Sequence, residues 1–122
     1  MKYTAVDALS ILRPDAEWIA SGDVYSGIEW LDSGQTKPTE TEINNKISEL
    51  DAAEPMRLLR EERFRLLLEC DWTQGADVPN SIKTAWQTYR QELRDLPASA
   101  SPKLDEFYEL DLSSVTWPSK PS

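Results

Sequence analysis

The chain has 122 residues, with 22 acidic and 13 basic side chains for a net charge of −9. That length suits one small domain, or one domain with an appended module, and allows burial of roughly two-thirds of the unfolded surface. No third of it is basic, since residues 1–40 hold 7 acids and 3 bases, residues 41–70 hold 7 and 5, and residues 71–122 hold 8 and 5, a balance that disfavours nucleic acid and favours solubility or a basic partner.

Residues 4–12 read as a short helix. Thr4 caps it with Asp7 three residues on, and Ala5, Ala8, Leu9 and Leu12 share one face. Pro14 ends it by disfavouring helical backbone at Arg13. Residues 17–20 and 28–31 have strand composition, with turn residues Ser21, Gly22, Asp23, Ser26 and Gly27 between them, so a β-hairpin is expected. Trp18 and Trp30 would share a sheet face, either as core or as a ligand platform.

Residues 32–38 form a polar connector and the expected module boundary. Thr39 with Glu42 makes a second capping box, followed by the stripe Ile43, Ile47 and Leu50. Pro55 either opens a second helix or kinks a single one that runs to about Cys70. Met56, Leu59, Leu66, Leu67 and Cys70 share a broad apolar face with Arg63 near its middle. That arginine either snorkels to the edge or pairs with Asp71, Asp77 or Asp95. Glu61 and Arg65 stand at the favourable four-residue spacing.

Residues 73–79 read as a turn. Asn80 or Ser81 then caps the clearest helix of the chain, in which Ile82, Ala85, Trp86, Tyr89, Leu93 and Leu96 fall on one line. Lys83, Arg90 and Arg94 make a stripe on its flank, and Pro97 is expected to stop it. Residues 98–122 suggest an extended arm with a helical turn near 104–110, a closing Trp117-Pro118 and a loose Ser-Lys-Pro-Ser end.

The chemistry of catalysis is sparse. Without histidine the usual acid/base group is missing, and one cysteine can make neither a zinc cluster nor an internal disulfide. Cys70 reads as a buried thiol rather than a nucleophile. Four scattered glycines form no phosphate loop, and Asp105, Glu106, Glu109 and Asp111 lack the spacing of a calcium loop. No cofactor or metal is therefore expected, and an enzyme is disfavoured. No apolar leader follows Met1-Lys2, and the longest aliphatic run, residues 66–68, is far short of the ~20 residues of a membrane span. Synthesis in the cytoplasm, with no membrane partner, is the expectation.

What remains is binding. Trp, Tyr and Arg dominate interface energies, and they gather at residues 72, 86, 89, 90, 94 and 117. Trp72, Trp86 and Tyr89 read either as core between two helices or as contact surface. Arg90 and Arg94 read either as an exposed partner edge or as internal pairs to Asp71 or Asp77.

As a set, Arg63 with Leu66-Leu67, Asp71-Trp72-Thr73, Asp77, Trp86, Tyr89-Arg90-Gln91, Leu93-Arg94-Asp95, Pro97 and Trp117-Pro118 resemble the phage tail assembly chaperone family, also called tail fibre assembly-like proteins. The resemblance covers residues 57–118, about half the chain. Residues 27–32 and 36–39 are similar to the amino-terminal module of related proteins of marine and cyanobacterial phages. The acidic insertion at residues 104–112 departs from the family pattern.

The resemblance implies a non-enzymatic protein made in the host cytoplasm that helps a tail or tail-fibre protein fold and assemble. A structural component of the virion tail or surface is the alternative. Arg90 and Arg94 carry over as family positions, and Lys83, Arg90, Arg94, Trp117 and Pro118 are the candidate partner contacts. Arg63, Asp71, Trp72, Asp77, Trp86, Tyr89, Leu93 and Asp95 are motif or core positions. A homo-oligomer is compatible with this reading. The expected fold is α+β: a helix and β-hairpin module over 1–38, an antiparallel helical hairpin over 39–97, and an extended arm over 98–122.

Overall fold

In the computed structural model, which describes residues 3–121, three α-helices and one β-hairpin build a small α+β protein. The order is α1 (Ala5–Leu12), β1 (Trp18–Ala20), β2 (Ile28–Trp30), α2 (Glu40–Glu69) and α3 (Asn80–Ser99), with short 3-10 turns at Tyr25–Gly27, Asp71–Gln74 and Leu112–Ser114. Two compact units divide the chain, Met1–Glu54 and Pro55–Ser122.

The first unit is built from local signals. Asp7 N–H donates to the Thr4 hydroxyl, and Thr4 N–H donates to the Asp7 carboxylate at 2.9 Å, so both arms of the expected capping box form. α1 then buries Ala5, Ala8 and Leu9. The antiparallel hairpin pairs Trp18 with Trp30 and Ala20 with Ile28. Directly opposed residues share a sheet face, and both indoles pack half-buried against Ala5, Ala8, Leu9, Ile28 and Ile43. They are core residues. Gly27 is required in this hairpin, because a Cβ there would lie 2.1 Å from the Ser21 carbonyl oxygen.

Residues 32–38 are pinned within this unit. The Asp32 carboxylate accepts backbone N–H bonds from Glu17, Gln35 and Gly34, which hold its pKa below the usual carboxylate range. Pro38 is fully buried, and its carbonyl accepts from the Tyr25 hydroxyl at 2.9 Å.

At the start of α2 the Thr39 hydroxyl accepts the Glu42 N–H at 3.1 Å. The helix continues through Pro55, so the single-helix reading is the one realised. Proline there removes only one donor, the N–H that would have met the Asp51 carbonyl.

In the second unit α2 and α3 run antiparallel. Leu59 packs with Leu96 near one end, while Leu66, Leu67 and Cys70 pack with Trp86, Tyr89 and Leu93 near the other. Leu59 and Leu93 are fully buried, and each contributes on the order of 1.5–3 kcal/mol of burial.

Two expectations for α3 need correction. Its N-cap is Pro79, with no side-chain cap bond, and the Pro79 carbonyl accepts the Ile82 and Lys83 N–H groups instead of Asn80 or Ser81 acting as caps. Pro97 does not stop it either. The helix reaches Ser99 and is closed by the Ala100 N–H on the Leu96 carbonyl at 3.0 Å.

The arm folds back on its own unit. Val115 is buried against Leu59 and Leu96, with Leu110 and Trp117 beside it. The expected helical turn at 104–110 is instead a tight antiparallel bridge between Leu104 and Leu110, with Tyr108 at φ 61°. The Asp105 carboxylate accepts the N–H groups of Phe107 and Glu109, and such Asx bonds compete with helix. Lys120, in the segment expected to be loose, pairs with Glu69. Ser122 lies outside the described residues.

Candidate functional site

Arg90 decides how the second unit divides into faces. Its side chain is 12% exposed, and it donates to the Leu67 carbonyl at 2.9 Å and to the Cys70 sulfur at 3.1 Å. Its other terminal nitrogen meets the Asp71 carboxylate at 2.9 Å. Burial opposes the arginine's charge, but the bonds to Cys70 and Asp71 outweigh it, so its pKa is raised. The last turn of α2 has no basic residue of its own. Arg90 therefore supplies the cation that favours a helix C-terminus. It ties α3 to the end of α2 and is an internal clamp, not the open partner contact expected of it.

Arg63 has no carboxylate partner among the described residues. It donates to the Arg94 carbonyl at 3.4 Å, and its Nε is buried without a hydrogen bond. The acid assigned to it as a candidate, Asp71, went to Arg90. Asp95 accepts from Gln91 across one turn, and Asp77 is exposed. Glu61 pairs with Arg57, whereas Arg65 bridges Glu62 and Glu69.

These contacts give the helix pair two flanks. Along one, Arg90 reaches the side of α2 next to Arg60, Phe64 and Leu68, which stand at helical spacing, and the Arg63 guanidinium meets the Arg94 backbone carbonyl. Phe64 and Leu68 are 61% and 55% exposed. Trp86 lies on the same flank of α3 and holds Trp72, whose ring centroid is 6.3 Å away. Trp72 is itself 61% exposed, which corrects its placement in the core. Trp86 is half-buried and meets Tyr89 edge-on at 5.5 Å. Tyr89 and Leu93 are buried, as expected of core residues.

Along the other flank lies the arm. Leu110 and Leu112 line a hollow with Leu58, Glu62 and Arg65, and Lys120 pairs with Glu69. Trp117 and Pro118 line a groove of about 400 Å³ with Glu92, Asp95, Leu96 and Ser99. The exposed Arg94 lines the adjoining groove, which shares Glu92 and Asp95. Lys83 is half-buried, and its carbonyl accepts from Gln74. Of the five expected partner contacts, Arg94 is exposed, Lys83, Trp117 and Pro118 are half-buried, and Arg90 is held internally.

Phe64 and Leu68 were not singled out in the sequence. The signal was there: α2 carries more apolar residues between 56 and 70 than one packed face can hold, and this pair sits four apart outside it.

Among the described residues no three His, Cys, Asp or Glu side chains gather into a metal-binding group, and no helix is long and apolar enough to cross a membrane. The family model of the phage tail assembly chaperone protein matches residues 56–122, more than half of the chain. The chain belongs to the phage tail assembly chaperone family. The match coincides with the second unit, so the clamp, the exposed aromatic flank and the docked arm are all parts of the chaperone segment. No curated protein and no solved structure matches the chain. Membership assigns the chain to phage tail assembly, with a phage tail protein as partner.

Proposed function

We propose that this chaperone is non-enzymatic and binds a tail or tail-fibre protein in the host cytoplasm, holding it on the uncovered flank of α2 and α3. The observation that carries the reading is the exposure of Phe64, Leu68 and Trp72 within the family segment. Large apolar side chains left in water mark a contact surface when they cluster on one side. Arg60 on that flank and Arg94 on the outer face of α3 are both exposed. They supply directed donors for carboxylates or carbonyls of the client, while the aromatic residues shield its apolar surface until assembly. Lys83 extends the cationic edge, and the Trp117-Pro118 groove offers a second contact on the opposite flank. The similarity of residues 27–32 to marine and cyanobacterial phage proteins supports such a phage as the source.

Co-expression with the neighbouring tail-fibre protein, scored as soluble fibre, tests the reading. Phe64→Ser with Leu68→Ser is expected to lose most of the soluble fibre while leaving the chaperone's thermal midpoint in place. Undiminished fibre yield from that variant overturns the site.

A structural role in the virion has one observation in its favour. The first unit has its own core of Ala5, Ala8, Leu9, Ile28 and Ile43 outside the family match, which a transient chaperone does not need. Mass spectrometry of purified virions separates the readings. Stoichiometric presence supports retention and sinks the transient role, and absence does the reverse.

A further inference from the structure

The first unit lies outside the family match and holds most of the charge. Met1–Glu54 carries 11 acidic and 4 basic side chains, net −7, against 11 and 9, net −2, over Pro55–Ser122. Within it, a groove of about 480 Å³ opens between the start of α1, the turn before β2 and the first turns of α2. Its lining combines apolar, aromatic and acidic side chains. Ala5, Val24 and Ile47 are its apolar lining, the half-buried Tyr3 and Tyr25 its aromatic walls, and the exposed Asp23 and Glu40 its rim carboxylates.

The walls are fixed in place. The Tyr3 hydroxyl donates to Glu54 and the Tyr25 hydroxyl to the Pro38 carbonyl, each at 2.9 Å. The rim is not neutralised. Among the described residues neither the Asp23 nor the Glu40 carboxylate has a partner, because the unit's described cations are engaged elsewhere. Arg13 bonds the Thr36 carbonyl and Glu42, Lys46 meets Glu49, and Lys37 donates to the Ile28 carbonyl and sits 4.6 Å from the Tyr25 ring centroid.

We infer that this groove binds a segment of a protein partner that carries a lysine or arginine beside an apolar side chain. The methylene stem of such a residue lies along Val24 and the tyrosine rings, and its charged head reaches Asp23 and Glu40. Nucleic acid and acidic segments are repelled by the same field. The site is separate from the client flank of the second unit and stands independently of the function proposed for it.

Fluorescence polarisation of a labelled peptide of alternating leucine and lysine, titrated with the full chain, tests the inference. Asp23→Asn with Glu40→Gln is expected to weaken binding by roughly tenfold or more. Asp15→Asn with Glu29→Gln removes the same charge away from the groove and is expected to leave affinity unchanged. Asn44→Trp fills the groove without altering charge and is expected to weaken binding as strongly as the rim pair. A peptide with glutamate in place of lysine is expected not to bind. Equal losses from the two charge-removing pairs, or full affinity in Asn44→Trp, overturn the site in favour of a diffuse electrostatic attraction. The rim pair and Asn44→Trp read the same site, so either one alone decides if the other fails to fold.

Discussion

The two units dispose of their aromatic residues in opposite ways. Trp18, Tyr25 and Trp30 of the first unit are half-buried around one core, whereas the second leaves Phe64, Trp72, Phe107 and Tyr108 exposed. Charge follows the reverse order, with the first unit at −7 and the second at −2. High net charge keeps a chain soluble and monomeric. The first unit thus concentrates charge where the second concentrates exposed apolar side chains.

The sharpest way to break that comparison is to damage one core at a time. Leu9→Ala and Leu93→Ala each remove a fully buried side chain, at an expected cost of about 2–5 kcal/mol. If the units are energetically distinct, calorimetry shows each variant lowering a different transition. A single transition shifted equally by both would mean that the chain unfolds as one body. Next in size is the contrast within α3. Arg90→Ala removes the bonds to Leu67, Cys70 and Asp71 and is expected to cost about 1.5–3 kcal/mol in denaturant unfolding. Exposed Arg94→Ala should stay within about 0.5 kcal/mol. Thr4→Ala deletes the α1 cap and should destabilise the first unit by about 1 kcal/mol.

The smallest expected effect concerns pH. The hydrogen bond from Lys120, then its charge, holds the Glu69 carboxyl below the usual range, and Arg65 does the same for Glu62. A depressed carboxyl pKa gives stabilisation that is complete at neutral pH and fades as pH falls through the depressed value. Lys120→Met should raise the Glu69 pKa toward the ordinary glutamate range in a carboxyl NMR titration. No change there would detach the arm's end from α2.

Much of the first unit was legible because its signals are local. The Thr4 and Asp7 spacing, the paired tryptophans and the turn residues between them act within a few positions of one another. The second unit was harder to read because its decisive contacts join distant positions. Nothing in the order of residues shows that Arg90 rather than Arg63 takes Asp71. Trp72 was misplaced because composition marks it as core, while the 3-10 turn at Asp71–Gln74 turns it outward onto Trp86. Pro97 was expected to stop α3, whereas at Pro55 the single helix is one of the two readings the sequence allows. Each removes one helical donor, and the packing of Leu59 and Leu96 outweighs that loss. At residues 104–110 the local bonds of Asp105 decided for a tight turn. Phe64 and Leu68 stand outside the packed stripe of α2, so their spacing alone gives them no contact.

The burial of Val115 against Leu59 and Leu96 sets an order of events during translation. Every residue of the first unit's core has been made by Ile43, and that unit ends at Glu54. The second unit cannot seal its core until residue 115 has left the ribosome. Through that interval Leu59 and Leu96 lack their cover, beside an acidic unit already free to fold. Nascent chains brought close together on one messenger would then repel through those folded amino-terminal halves, just when their unfinished halves are stickiest.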